Sequence, residues 1–174
     1  HPNQPVKIIL AESRRHELLN DHHFRSLFIA QFLAAGFIVL TGSVAALFEA
    51  AGPCDIVIAN AGVSGDTTSG GLARIDWSVP DGTDGVILEL GANDMLRGTD
   101  PAVTRKALDA MIERLKARGI PVLLAGMKAS PNLGPDYAAR FDAIYPDLAK
   151  RYDLVLYPFF LDGIVGDRQA HLDD

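Results

Sequence analysis

The chain has 174 residues, which suits one domain, and 48% of them are hydrophobic, enough for a sizeable buried core. Its formal net charge is −6 with acids and bases interspersed, which excludes the basic face of a nucleic-acid binder. The longest apolar stretch, Leu27 to Leu40, is broken by Gln31 and Gly36 and falls short of the ~20 residues that span a bilayer.

The pattern alternates strands and helices. Val6 to Ala11 reads as a buried strand. His23 to Ala35 reads as a helix, because Phe24, Leu27, Phe28 and Phe32 share one face, and Gly36 stops it. Phe37 to Leu40 is a second strand and Val44 to Ala51 a short helix. Asp55 to Ala59 is a third strand and Gly85 to Leu90 a fourth. Thr104 to Arg118 is an amphipathic helix stopped by Gly119. Pro121 to Ala125 is a fifth strand. Tyr137 to Arg151 is a helix with a kink expected at Pro146, and Leu154 to Tyr157 is a sixth strand.

Apolar strands alternating with helices imply an α/β fold: a three-layer α/β/α sandwich on a mostly parallel sheet, flavodoxin-like, forming one domain over residues 1–174. Ligands in such folds bind at the carboxyl ends of the strands. The residues to inspect are therefore Glu12-Ser13, Thr41-Gly42-Ser43, Asn60 to Asp66, Gly91 to Asp94, Met127-Lys128, and the tail beyond Pro158.

Two of these clusters carry chemistry. After the third strand, Asn60 to Thr68 is rich in glycine, which lets backbone N–H groups turn toward an anion. The same residues also suit a tight strand-to-helix turn with Asp66 or Thr67 as cap. The loop lacks the GxxxxGK[ST] pattern of a nucleotide phosphate site. After the fourth strand, Asn93 is a neutral amide beside a glycine, suited to donate a hydrogen bond to developing negative charge. Asp94 either buttresses it or caps the next turn, and an Asx turn is the competing reading. Cys54 reads as a small core residue and His22-His23 as a solvated pair, so no metal site is expected. The start, His1-Pro2-Asn3, has no basic n-region, so no signal peptide is expected.

Together, "NAGVSGDTTSGGLAR" and "ELGANDMLRG" resemble the second and third blocks of the SGNH (GDSL) hydrolases, in the bacterial thioesterase I, lysophospholipase and arylesterase branch. The likeness runs over residues 59–174, to the final "HLDD". It implies an oxyanion hole of the Gly65 N–H, the Asn93 amide and the nucleophile's own N–H. It places Asp174 where the family has the aspartate of its D-G-x-H-P-N block, which orients the catalytic histidine. That histidine would fall beyond Asp174, while this chain begins with His1-Pro2-Asn3: either residues are reordered, as in a circular permutation, and His1 is the candidate imidazole, or His1 is a tag or a coincidence. The family's Gly-Asp-Ser block has no literal match. Ser13, in "KIILAES", is favoured as nucleophile; Ser43, in "IVLTGS", is the alternative.

The resemblance further implies a small-molecule ester substrate, with short acyl esters, aryl esters, thioesters and lysophospholipids as its classes. It implies a loop from Met127 to Pro135 beside the acyl pocket, no cofactor, and a periplasmic or secreted location. It leaves a homo-oligomer open. Residues 6–60 look instead like half of a response-regulator receiver, with Asn60 where the phosphoacceptor aspartate would stand; an amide cannot be that nucleophile. The competing class is thus a catalytically incomplete or chimeric flavodoxin-like protein.

Overall fold

A computed structural model describes residues 6–11 and 56–162. The helices expected over residues 23–35 and 44–51 and the strand over 37–40 lie outside the described residues. So do His1, Ser13, Ser43, Cys54, the His22-His23 pair and Asp174.

The strands are β1 (Val6–Ala11), β2 (Ile56–Asn60), β3 (Gly85–Glu89), β4 (Val122–Ala125) and β5 (Val155–Tyr157). They form one sheet in the order β2-β1-β3-β4-β5, and every neighbouring pair is parallel. Parallel neighbours need crossover connections, and helices supply those described here. They are α1 (Thr68–Ser78), α2 (Ala92–Leu96), α3 (Pro101–Ala117), α4 (Pro135–Asp142) and α5 (Ile144–Tyr152), with a 3-10 turn at Pro131–Leu133. All five residues of β3 and all four of β4 are buried, so a layer covers each face of the sheet. The architecture is the three-layer α/β/α sandwich that the alternating pattern predicts.

The order 2-1-3 decides where a ligand can sit. The chain leaves β1 for β2 on one side, then returns to β3 on the other. The crevice of such a sheet opens at this reversal. Leu10 pairs with Asn60, and Ala11 with Leu88, so the carboxyl ends of β1, β2 and β3 stand level.

Local chemistry sets the helix ends. The Asp100 side chain accepts the Ala102 N–H at 2.9 Å, and Pro101 fills the first helical position, where a missing N–H is harmless. The helix therefore starts three residues before the expected Thr104. At its other end Gly119, at φ +71, donates to Lys116 and Ile120 donates to Leu115, which satisfies the last carbonyls as a glycine-terminated helix does. Thr104, Leu108, Met111, Ile112 and Leu115 recur at helical spacing and are buried.

The single helix expected from Tyr137 to Arg151 is two. They break at Ala143, one turn before the expected kink, because the Pro146 ring clashes with the carbonyl of residue 142 in a continuous helix. Phe141 and Tyr145 stay in contact across the break, their rings edge to face at 5.9 Å.

Candidate active site

The loop after β2 is built around a turn. Asp66 N–H donates to the Val63 carbonyl at 3.1 Å, and Gly65 occupies the third position at φ +79, where side chains are strained. A Cβ on Gly65 would meet only the Arg97 guanidinium, at 3.9 Å, so backbone angle rather than space demands glycine. Arg97 Nη2 in turn donates to the Gly65 carbonyl at 2.8 Å, holding the following peptide.

The turn feeds α1. Of the two expected caps, Thr67 is the one used: its hydroxyl accepts the Gly70 N–H at 3.2 Å. Asp66 instead accepts the Thr67 N–H at 2.9 Å and binds Arg74. The glycine-rich stretch is a loop only as far as Thr67, because Gly70 and Gly71 lie inside α1. No acid stands in the first turn of α1, but Asp94 supplies one from α2. Its carboxylate accepts the Thr68 N–H at 2.8 Å, the Thr68 hydroxyl at 2.6 Å and the Thr104 hydroxyl at 3.3 Å. A buried anion thus faces the positive end of α1. Asp94 thus braces the start of α1, a role different from the expected support of Asn93 or cap of its own turn.

After β3 the chain turns at Gly91, with φ +118. A Cβ there would lie 2.1 Å from the Tyr145 hydroxyl. That hydroxyl donates to the Leu90 carbonyl at 2.9 Å, and burial pushes it well above the ordinary phenol range, so it stays a neutral donor. Gly91→Ala combines a forbidden angle with a displaced Tyr145. It is expected to cost about 2–5 kcal/mol in urea unfolding; a variant within 0.5 kcal/mol (about the scatter of surface changes) would show that the turn relaxes freely.

Two residues on, Asn93 is half-buried, and its Nδ2 donates to the Asp66 carbonyl at 2.8 Å. An amide nitrogen has two hydrogens, so placing one fixes the plane of the other. This bond joins the clusters after β2 and β3, and it brings Gly65 and Asn93 to one end of the sheet. A turn with a left-handed glycine and an oriented amide, beside the crevice at β1, is an arrangement that can receive a developing negative charge.

Arg74, Thr68 and Thr104 were not singled out in the sequence. The only signal was an acid just before a helix and a base two turns inside it, Asp66 and Arg74. Beyond β4, Met127 is buried in the core and the Lys128 ammonium lies over the Phe159 ring at 5.3 Å. A groove of about 440 Å³ lined by Lys116, Ile120, Pro121 and Leu154 lies at the other end of the sheet, where β4 and β5 begin. No helix among the described residues is long and apolar enough to cross a membrane.

Comparison with known proteins places the chain among esterases of one family. Esterase TesA of Pseudomonas aeruginosa is 41% identical over 113 residues, 64% of this chain and 56% of the relative. An arylesterase of Vibrio mimicus is 40% identical over 121 residues, 69% of this chain and 60% of the relative. The chain thus spans less than two thirds of the length of these curated relatives. The crystal structure of AlinE4, an SGNH-hydrolase family esterase, superposes with a TM-score of 0.77 at 36% identity, covering 100% of this chain and 86% of that one. The GDSL-like Lipase/Acylhydrolase family profile matches residues 37–174, a range that takes in Ser43, Gly65, Asn93 and Asp174. The chain is therefore a member of the GDSL-like lipase/acylhydrolase family.

Proposed function

We propose that the chain is a serine esterase that hydrolyses short acyl esters, aryl esters, thioesters or lysophospholipids through an acyl-enzyme. The observation that carries this reading is the Asn93 to Asp66 bond, which sets an oriented amide beside the Gly65 turn at the sheet's crevice. The relatives named esterase and arylesterase support the reaction class.

In this mechanism a serine hydroxyl attacks the acyl carbonyl, and a histidine takes its proton. The carbonyl oxygen becomes an oxyanion held by the Gly65 N–H and the Asn93 amide. The histidine returns the proton to the departing alcohol or thiol. Water, activated by the same histidine, then releases the acid and restores the serine. Asp174 is the proposed carboxylate that orients the imidazole, and His1 is the proposed imidazole. Ser13 is the proposed nucleophile. It follows β1 by two residues, and β1 ends between the strands whose loops carry Gly65 and Asn93. The whole chain is read as one domain.

A fluorophosphonate probe with peptide mass spectrometry tests the assignment beside p-nitrophenyl acetate turnover. Turnover with the label on Ser13 is expected. A label on Ser43 moves the nucleophile. The absence of both turnover and label removes the esterase reading.

A further inference from the structure

We propose that Arg74 is a positioning residue for the oxyanion hole, acting through Asp66 on Asn93. The proposal rests on the esterase reading of that site. The Arg74 side chain is 11% exposed and that of Asp66 13%. Arg74 Nε donates to Asp66 Oδ2 at 2.7 Å. Its Nη1 donates to the Ala61 carbonyl at 2.6 Å and to the Ser78 hydroxyl at 2.9 Å. One guanidinium therefore grips Ala61 and Asp66, on either side of Gly65, and anchors both to α1.

Asp66 is the hinge of the arrangement. Its side chain answers to Arg74, while its main-chain carbonyl receives the Asn93 amide. Movement of the carboxylate therefore moves the carbonyl that orients Asn93. Gly70 makes the room: a Cβ there would fall 1.9 Å from Asp66 Oδ1, so the carboxylate lies over a bare backbone. Among the described residues Arg74 Nη2 is buried without an acceptor. A buried cation with an unmatched donor is a poor source of stability. A planar fork holding three groups at fixed angles is a good source of geometry, and a lysine cannot copy it.

The test uses three variants of the full chain: Arg74→Gln, Arg74→Lys and Gly70→Ala. Each is measured for kcat and KM on p-nitrophenyl acetate, for melting temperature, and for the Asn93 side-chain NH2 resonances by 15N NMR. Arg74→Gln is expected to lower kcat about 10–100-fold with KM nearly constant, the usual cost of a donor misplaced by about 1 Å. Its Asn93 resonances should shift. Arg74→Lys should recover part of the rate, since it restores the charge on Asp66 alone. Gly70→Ala keeps the guanidinium but displaces the carboxylate, so it should show the same kcat-selective loss even where Arg74→Gln folds poorly. Parental kcat in Arg74→Gln and Gly70→Ala, with Asn93 resonances unmoved, overturns the proposal. If the parent chain itself hydrolyses no ester, the esterase reading fails, and the resonances alone still decide whether Arg74 positions Asn93.

Discussion

Asn93→Ala is expected to lower kcat on p-nitrophenyl acetate about 10²–10³-fold, the usual cost of removing one oxyanion donor. KM should change little, because the donor strengthens only as negative charge develops on the carbonyl oxygen. The variant also loses the bond to the Asp66 carbonyl, so some stability goes with it. One hydrogen bond of this kind contributes about 1 kcal/mol, and for a chain of this size that is roughly 2–4 °C of melting temperature. Such a loss cannot account for two or three decades of rate at 25 °C. Asn93→Asp sharpens the test. It keeps the size, but an ionised carboxylate only accepts, so it opposes both the Asp66 carbonyl and the oxyanion. It should be at least as inactive as the alanine variant. If Asn93→Ala turns over at the parental rate, Asn93 is not an oxyanion donor, and the site needs another reading.

The sheet was legible in the sequence because its strands are short apolar runs followed by turn residues. β1 has the expected ends, and β2 to β5 fall within one residue of theirs. The end of α3 at Gly119 was legible for the same local reason. α1 was not, since "TSGGLARIDWS" carries two glycines and a weak apolar face. Its support comes from elsewhere in the chain. Asp94 binds its first N–H across 26 residues. Gly71 is needed because a Cβ there would lie 2.4 Å from the Leu90 side chain. The motif blocks singled out Gly65 and Asn93, and the Asn93 to Asp66 bond joins their two loops. The grip of Arg74 had only the spacing of Asp66 and Arg74 to announce it, and the hydroxyls around Asp94, which depend on how α1 packs on α3, carried no spacing signal.

Asp94 is where fold and site meet, and its removal should cost much stability. Thr68 and Thr104 have no exposed surface, so water cannot replace the carboxylate that binds them. Asp94→Ala strands one N–H and two hydroxyls. Each buried orphan costs about 1–3 kcal/mol, though a hydroxyl can rotate to a carbonyl of its own helix, so the expected total is about 3–5 kcal/mol. Urea unfolding measures it, and the melting temperature should fall by roughly 10 °C. Asp94→Asn separates shape from charge. Its amide keeps one acceptor but turns a donor toward the Thr68 N–H or the Thr68 hydroxyl, and it removes the anion from the start of α1. Its cost should be smaller, about 2 kcal/mol. An asparagine variant as stable as the parent would mean that the anion adds nothing and that packing alone seats α1. If instead both variants lose stability in that order, the start of α1 is held electrostatically. Thr67 and Asp66 immediately precede it, so the same variants should lose turnover beyond what unfolding explains, by loosening the carbonyl that holds Asn93.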